Sequence, residues 1–159
     1  MSGSFGYELD ISSCSANDLL KFQKQIDFFK QIAPIVRWGD LYRLWDPFKA
    51  SLAAWMYVSR DKSEAIAFAY STNADHWNNI VPRLPLMGLI AEAEYEVVEP
   101  APNDIMQVAG TYMMIETEVP VYQLGVSSVV LTGEILMSAG LPVRFYTSDD
   151  SVVYYLKRL

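Results

Sequence analysis

The sequence predicts a mainly β protein: an antiparallel, Greek-key-like β-sandwich preceded by one amphipathic α-helix. Three observations lead there. The apolar residues ahead of Trp38-Gly39-Asp40 recur at spacings of three and four, which is helical, whereas those after it recur at two, which is strand-like. Beyond that point the apolar runs are short and turn residues frequent, as in a sandwich. Finally, 159 residues of which 52% are hydrophobic can bury a core of their own, as one domain or one domain with an attached element.

Taken in order, Met1–Asp10 reads as a strand exit whose small residues Ser2, Gly3 and Gly6 suit close backbone approach. Ile11–Ala16 is a connector, and Ser15 with Asp18 forms a capping-box-like helix start. The helix is expected from about Ala16 to Ala33, with Leu19, Phe22, Ile26, Phe29 and Ala33 on one stripe and Lys21, Lys24, Asp27 and Lys30 pointing elsewhere. Pro34 is expected to end or kink it. At the pivot, Gly39 is expected to adopt a backbone conformation closed to residues with a Cβ.

A hairpin follows. Ala54, Met56 and Val58 alternate with Trp55, Tyr57 and Ser59, Arg60–Ser63 turns the chain, and Ala65–Tyr70 runs back. Ser71–Pro82 is a long polar loop. Leu84–Leu89 and Ala93–Val98 read as a strand pair, the second showing Glu92, Glu94 and Glu96 on its wet side. A loop at Glu99–Asp104 leads to a strand-like Thr111–Tyr122, broken near Pro120, and to a strand at Val126–Thr132. Gly133–Gly140 is a short helical turn, and Ser151–Leu156 the last strand.

Composition narrows the function classes. A net charge of −7 with scattered basic residues argues against nucleic acid, which needs clustered cations to displace counterions. The small groupings Lys21/Lys24/Lys30 and Lys157/Arg158 read as solvated surface. With one cysteine, Cys14, no internal disulfide forms, and no Asn-x-Ser/Thr acceptor occurs. Both features point to a cytoplasmic protein. Residues 1–10 have no signal-peptide pattern, and no apolar run reaches the roughly 18 residues of a membrane span.

No catalytic, cofactor-binding or metal-binding residue is assigned. The carboxylate groupings available for general acid and base work are Glu8/Asp10, Glu92/Glu94/Glu96, Glu116/Glu118 and Asp149/Asp150, and each reads first as the exposed edge of a strand or turn, since ionised carboxylates usually face water. His76 is the only histidine, so zinc clusters and His-rich sites are excluded, and no GxSxG, GxGxxG or P-loop pattern occurs. Among the tryptophans, Trp38 and Trp55 read as core or junction residues, while Trp45 and Trp77 are the exposed candidates for stacking on a sugar ring. The helix stripe Leu19, Phe22, Ile26 and Phe29 is a candidate self-association face.

Several blocks occur in one order: FGYELD (5–10), a helix, GDLYRL (39–44), AAWMYVS (53–59), DKSEAIAFAY (61–70), LPLMGLIAEAEYEVV (84–98) and EILMSAGLPV (134–143). Together they resemble the C-terminal end of the α-galactosidases of glycoside hydrolase family 36, from about Phe5 to Leu159, most weakly between Ala101 and Ser128. The resemblance implies that residues 1–37 are the last strand exit and last helix of a catalytic (β/α)8 barrel, and 38–159 its C-terminal β-sandwich domain. It also implies a parent that hydrolyses terminal α-galactosyl linkages by a retaining mechanism and forms homo-oligomers. The family's catalytic aspartates belong to earlier barrel strands, so this chain is expected to be non-catalytic, supporting the missing barrel and subunit contacts and meeting α-galactoside sugars only through the parent. A free-standing carbohydrate-binding module and a protein-interaction sandwich are the other readings.

Overall fold

The computed structural model describes residues 3, 5–71, 81–98, 128–145 and 150–159. After a 3-10 turn at Ile11–Ser13 come α1 (Ala16–Trp38), β1 (Asp40–Trp45), β2 (Leu52–Val58), β3 (Glu64–Ser71), β4 (Arg83–Leu84), β5 (Glu94–Val98), β6 (Val129–Thr132), α2 (Gly133–Ser138), β7 (Leu141–Pro142) and β8 (Ser151–Arg158). The fold is mainly β and antiparallel with one long helix. Six strands form one sheet in the order β1-β2-β3-β8-β5-β6, and β4 pairs with β7 in a small second sheet.

The period-two pattern decides which side chains go where. Ala54, Met56 and Val58 of β2, Ala65, Ala67 and Ala69 of β3, and Val152, Tyr154 and Leu156 of β8 share one face, covered by Leu84, Leu86, Leu136, Leu141 and Val143 from the β4/β7 layer and α2. The alternate residues Ile66, Phe68, Val153 and Tyr155 face the other way and are covered by Ile32 and Ile35 of α1. Because both faces of β3 and β8 are buried, these strands are nearly continuous in apolar residues.

The predicted hairpin is present in the register Val58↔Ala65 to Leu52↔Ser71. Its turn is closed by Asp61, which accepts from Ser59 Oγ at 2.7 Å and from the Ser63 amide at 3.1 Å, while Lys62 takes φ 57°. The buried Tyr95 hydroxyl donates to the Lys62 carbonyl and accepts from the Ile90 amide, each at 3.1 Å, and so ties this turn to the approach to β5. On β5, which begins at Glu94, Glu94 and Glu96 alternate with the buried Tyr95 and Val97 as predicted, while Glu92 and Ala93 lie in the turn before it.

Four expectations are corrected. Helix α1 continues through Pro34 to Trp38, because Pro34 and Lys30, whose carbonyl loses its donor, lie on the exposed side within reach of water. Gly39 has φ −80° and ψ 168°, ordinary extended backbone; what excludes a larger residue is space, since a Cβ would lie 2.5 Å from the Ile35 carbonyl oxygen and 2.6 Å from that of Val58. The strand predicted over Leu84–Leu89 shrinks to Arg83–Leu84, as Pro85 has no N–H for a ladder, although Leu84, Leu86 and Leu89 stay buried. Residues 5–10 form no strand and cross α1 as a separate strap. The expected strand at Thr111–Tyr122 lies outside the described residues.

Candidate functional site

Among the described carboxylates, Asp10, Asp18 and Asp61 serve as hydrogen-bond acceptors in turns and caps. Asp61 is held down to about 2 by its bonds from Ser59 and Ser63. The Ser12 hydroxyl and amide lower Asp10, and the Ser15 hydroxyl, 2.6 Å away, lowers Asp18. A general acid needs the opposite shift, so these three groups are suited to structure and not to proton donation. Glu8, Glu92 and Glu94 are exposed and Glu96 is half-buried on the β5 ladder. Among the described residues no three His, Cys, Asp or Glu side chains converge on a metal-sized site. Glu116, Glu118, Asp149, His76 and Trp77 lie outside the described residues.

Trp45 is half-buried at the end of β1 and packs against the main core, which leaves it less ring surface than the sequence suggested. Trp38, expected in the core or at a junction, is 65% exposed at the end of α1. Trp55 is half-buried and stacks on Tyr70 with ring centroids 4.9 Å apart and an interplanar angle of 19°, on the same side of the sheet as α1. Nearby, burial and then the hydrogen bond donated to Glu64 push the Tyr155 phenol up to about 12.

The α1 stripe divides differently from the sequence expectation. Phe22, Gln25, Ile32 and Ile35 are the buried positions, whereas Leu19 and Ile26 are 40% and 37% exposed. The C-terminal half of α1 lies on the sheet. Its first half and middle lie under the strap: Tyr7 meets Phe22 with centroids 4.6 Å apart, Phe5 meets Phe29 at 5.2 Å, and the Tyr7 hydroxyl donates to the Gln25 side-chain oxygen. Burial raises the Tyr7 phenol above its ordinary range. The sequence signal for this strap was Phe5-Gly6-Tyr7, two aromatics on one side of an extended segment, with Gln25 as an unexpected polar anchor.

Comparison with known proteins places this arrangement. The model of the glycosyl hydrolase family 36 C-terminal domain matches residues 52–156. The chain belongs to that family. The matched span runs from β2 to β8, the whole of the central sheet except β1. Alpha-galactosidase AgaA of Geobacillus stearothermophilus is 39% identical over 97 residues, 61% of this chain and 13% of its own. Alpha-galactosidase 2 of Hypocrea jecorina is 35% identical over 158 residues, 99% of this chain and 17% of its own. Among solved structures, the family 36 α-galactosidase AgaB of G. stearothermophilus superposes with a TM-score of 0.74 at 31% identity, over 99% of this chain and 18% of that one. The chain thus spans less than a fifth of the length of these relatives. No helix among the described residues is long and apolar enough to cross a membrane.

Proposed function

We propose that this chain is the non-catalytic C-terminal domain of a cytoplasmic α-galactosidase-like glycoside hydrolase, which hydrolyses terminal α-galactosyl linkages with retention. Residues 1–37 belong to the end of its catalytic barrel and residues 38–159 to the sandwich. The sandwich braces the barrel and contributes to contacts between subunits. The observation that carries the reading is the family match over residues 52–156, together with similarity to under a fifth of proteins named as α-galactosidases. The downward shifts of Asp10, Asp18 and Asp61 support a non-catalytic role, since none of them offers the raised carboxyl that protonates a leaving sugar.

The test is release of nitrophenol from a nitrophenyl α-galactoside by the purified chain, free of host enzymes. No rate above the uncatalysed one is expected, and turnover that co-purifies with the chain would overturn the non-catalytic assignment. Titration with galactose and raffinose, followed by tryptophan fluorescence, is expected to give no saturable change. A saturable change lost on Trp45→Ala or Trp77→Ala would favour the carbohydrate-binding reading instead.

A further inference from the structure

We propose that Gln31, Tyr155 and Glu64 form a polar latch that fixes the orientation of α1 on the sheet, and with it the seat of the barrel's last helix on the sandwich. The latch is built from this chain's own residues; its place between barrel and sandwich rests on the boundary proposed between residues 37 and 38. Three elements meet at one phenol. The Tyr155 hydroxyl, on β8, donates to the Glu64 carboxylate at the start of β3, and the Gln31 side chain of α1 donates to the Tyr155 oxygen. Tyr155 is buried, Glu64 half-buried and Gln31 exposed, so the relay reaches from the helix surface into the helix–sheet interface. A phenol both donates and accepts, so tyrosine couples the two elements here where phenylalanine would only fill the space.

The apolar part of the interface leaves this orientation loosely defined. Ile32 and Ile35 are buried with Ile66, Phe68 and Val153, but Phe28, Phe29 and Val36 border them on the helix and pack against the same cluster. A turn of α1 about its axis exchanges one apolar side chain for another, and burial of apolar area carries no direction. The backbone holds α1 at one end only. Gly39 alone separates it from β1, with no room for a side chain beside the Val58 carbonyl.

Gln31 lies eight residues before Gly39, roughly 12 Å along the helix axis, far enough from the tether for a directional bond to set the crossing angle. It follows Phe28 by three residues and precedes Ile35 by four, which puts it at the border of the packed side. Across the proposed boundary the latch does what apolar contact alone cannot: it couples the barrel's last helix to two strands of the sandwich, β3 and β8, at a single angle.

Two measurements on the full chain test this. In a Cys14→Ser background, spin labels at Q23C on α1 and E94C on β5, both exposed positions, report the helix angle as a distance distribution. One narrow distribution is expected with the latch intact, a broader one with Tyr155→Phe, and the narrow one again with Glu64→Gln, which keeps an acceptor. Gln31→Ala, a change at an exposed position, is expected to broaden it too, so the result does not hang on the buried variant folding. A general loss of stability would not move this readout. In urea unfolding, Tyr155→Phe is expected to lower the folded-to-unfolded ratio roughly tenfold, as loss of a hydrogen bond to a charged group does. Gln31→Ala and Glu64→Ala together are expected to lose less than the product of their separate losses, and that coupling is expected to vanish when Tyr155 is also changed to Phe. An unchanged distance distribution in Tyr155→Phe and Gln31→Ala, or Gln31 and Glu64 losses that combine in full, overturns the proposal. Neither measurement involves a sugar, so a failed latch leaves the α-galactosidase reading standing, and turnover by the purified chain would overturn that reading without touching the latch.

Discussion

The phenol of Tyr155 and the carboxylate of Asp61 respond to pH with opposite signs. Burial, and then the bond to Glu64, raise Tyr155 from 10.0 to about 12 in the folded chain. Its stabilisation is therefore complete below about pH 10 and is lost as the pH climbs towards 12, because the unfolded chain releases the proton first. Asp61 is depressed from 3.8 to about 2 by Ser59 and Ser63, so its contribution holds above about pH 4 and disappears as the pH falls through 2. Thermal unfolding across both limbs checks this. Tyr155→Phe is expected to flatten the alkaline loss and leave the acid limb alone, and Asp61→Asn to do the reverse; a Tyr155→Phe chain with the wild-type alkaline slope would remove the assignment.

At the scale of elements, α1 shows where a periodic pattern informs and where it misleads. Leu19, Phe22, Ile26 and Phe29 share a helix side, but Phe22, Gln25, Phe29, Ile32 and Ile35 fit helical spacing equally well. The second series is the more buried one, all but the half-buried Phe29 being buried, and the polar Gln25 within it disguises it in the sequence. Ile32→Ala should then cost about 2 to 5 kcal/mol, as buried isoleucines do, whereas Ile26→Ala should cost well under half as much. Urea unfolding of the two variants side by side decides which face is packed, and equal losses would contradict the geometry. The strands were easier to read. β2 and β5 declare themselves through alternation, β3 and β8 through short, nearly continuous apolar runs, and the Thr132-capped α2 through Gly140 and Pro142 at its end. The sites were less legible: Trp38 looked buried and is exposed, and the strap's contacts join residues remote in sequence, which no local pattern encodes.

For the whole molecule, the question is how far the sheet depends on the helix. A chain beginning at Gly39 keeps the face packed on β4, β7 and α2 but uncovers Ile66, Phe68 and Val153. Ile32 and Ile35 alone represent roughly 1.5 to 3 kcal/mol each in burial, set against a total stability of about 5 to 15 kcal/mol for a domain. The shortened chain is expected to unfold cooperatively still, with a midpoint lowered by about 10 °C or more. Calorimetry that finds no cooperative transition would make α1 part of the domain and refute a boundary at residues 37 and 38.

Because β8 lies between β3 and β5, with Glu64 paired to Lys157, the sheet cannot close until residues 151–158 have been synthesised. The β1-β2-β3 meander can form early on the ribosome, but one edge of β3 then waits for a partner translated long afterwards, and loop entropy must be met before that distant pairing returns anything. During the interval the open edge from Ala65 to Ala69, apolar on both faces, is a template for any neighbouring nascent strand. A chain truncated before Ser151 lacks the strand that pairs with this edge of β3 and is expected to aggregate more readily than the full chain, which light scattering of the two at equal concentration checks.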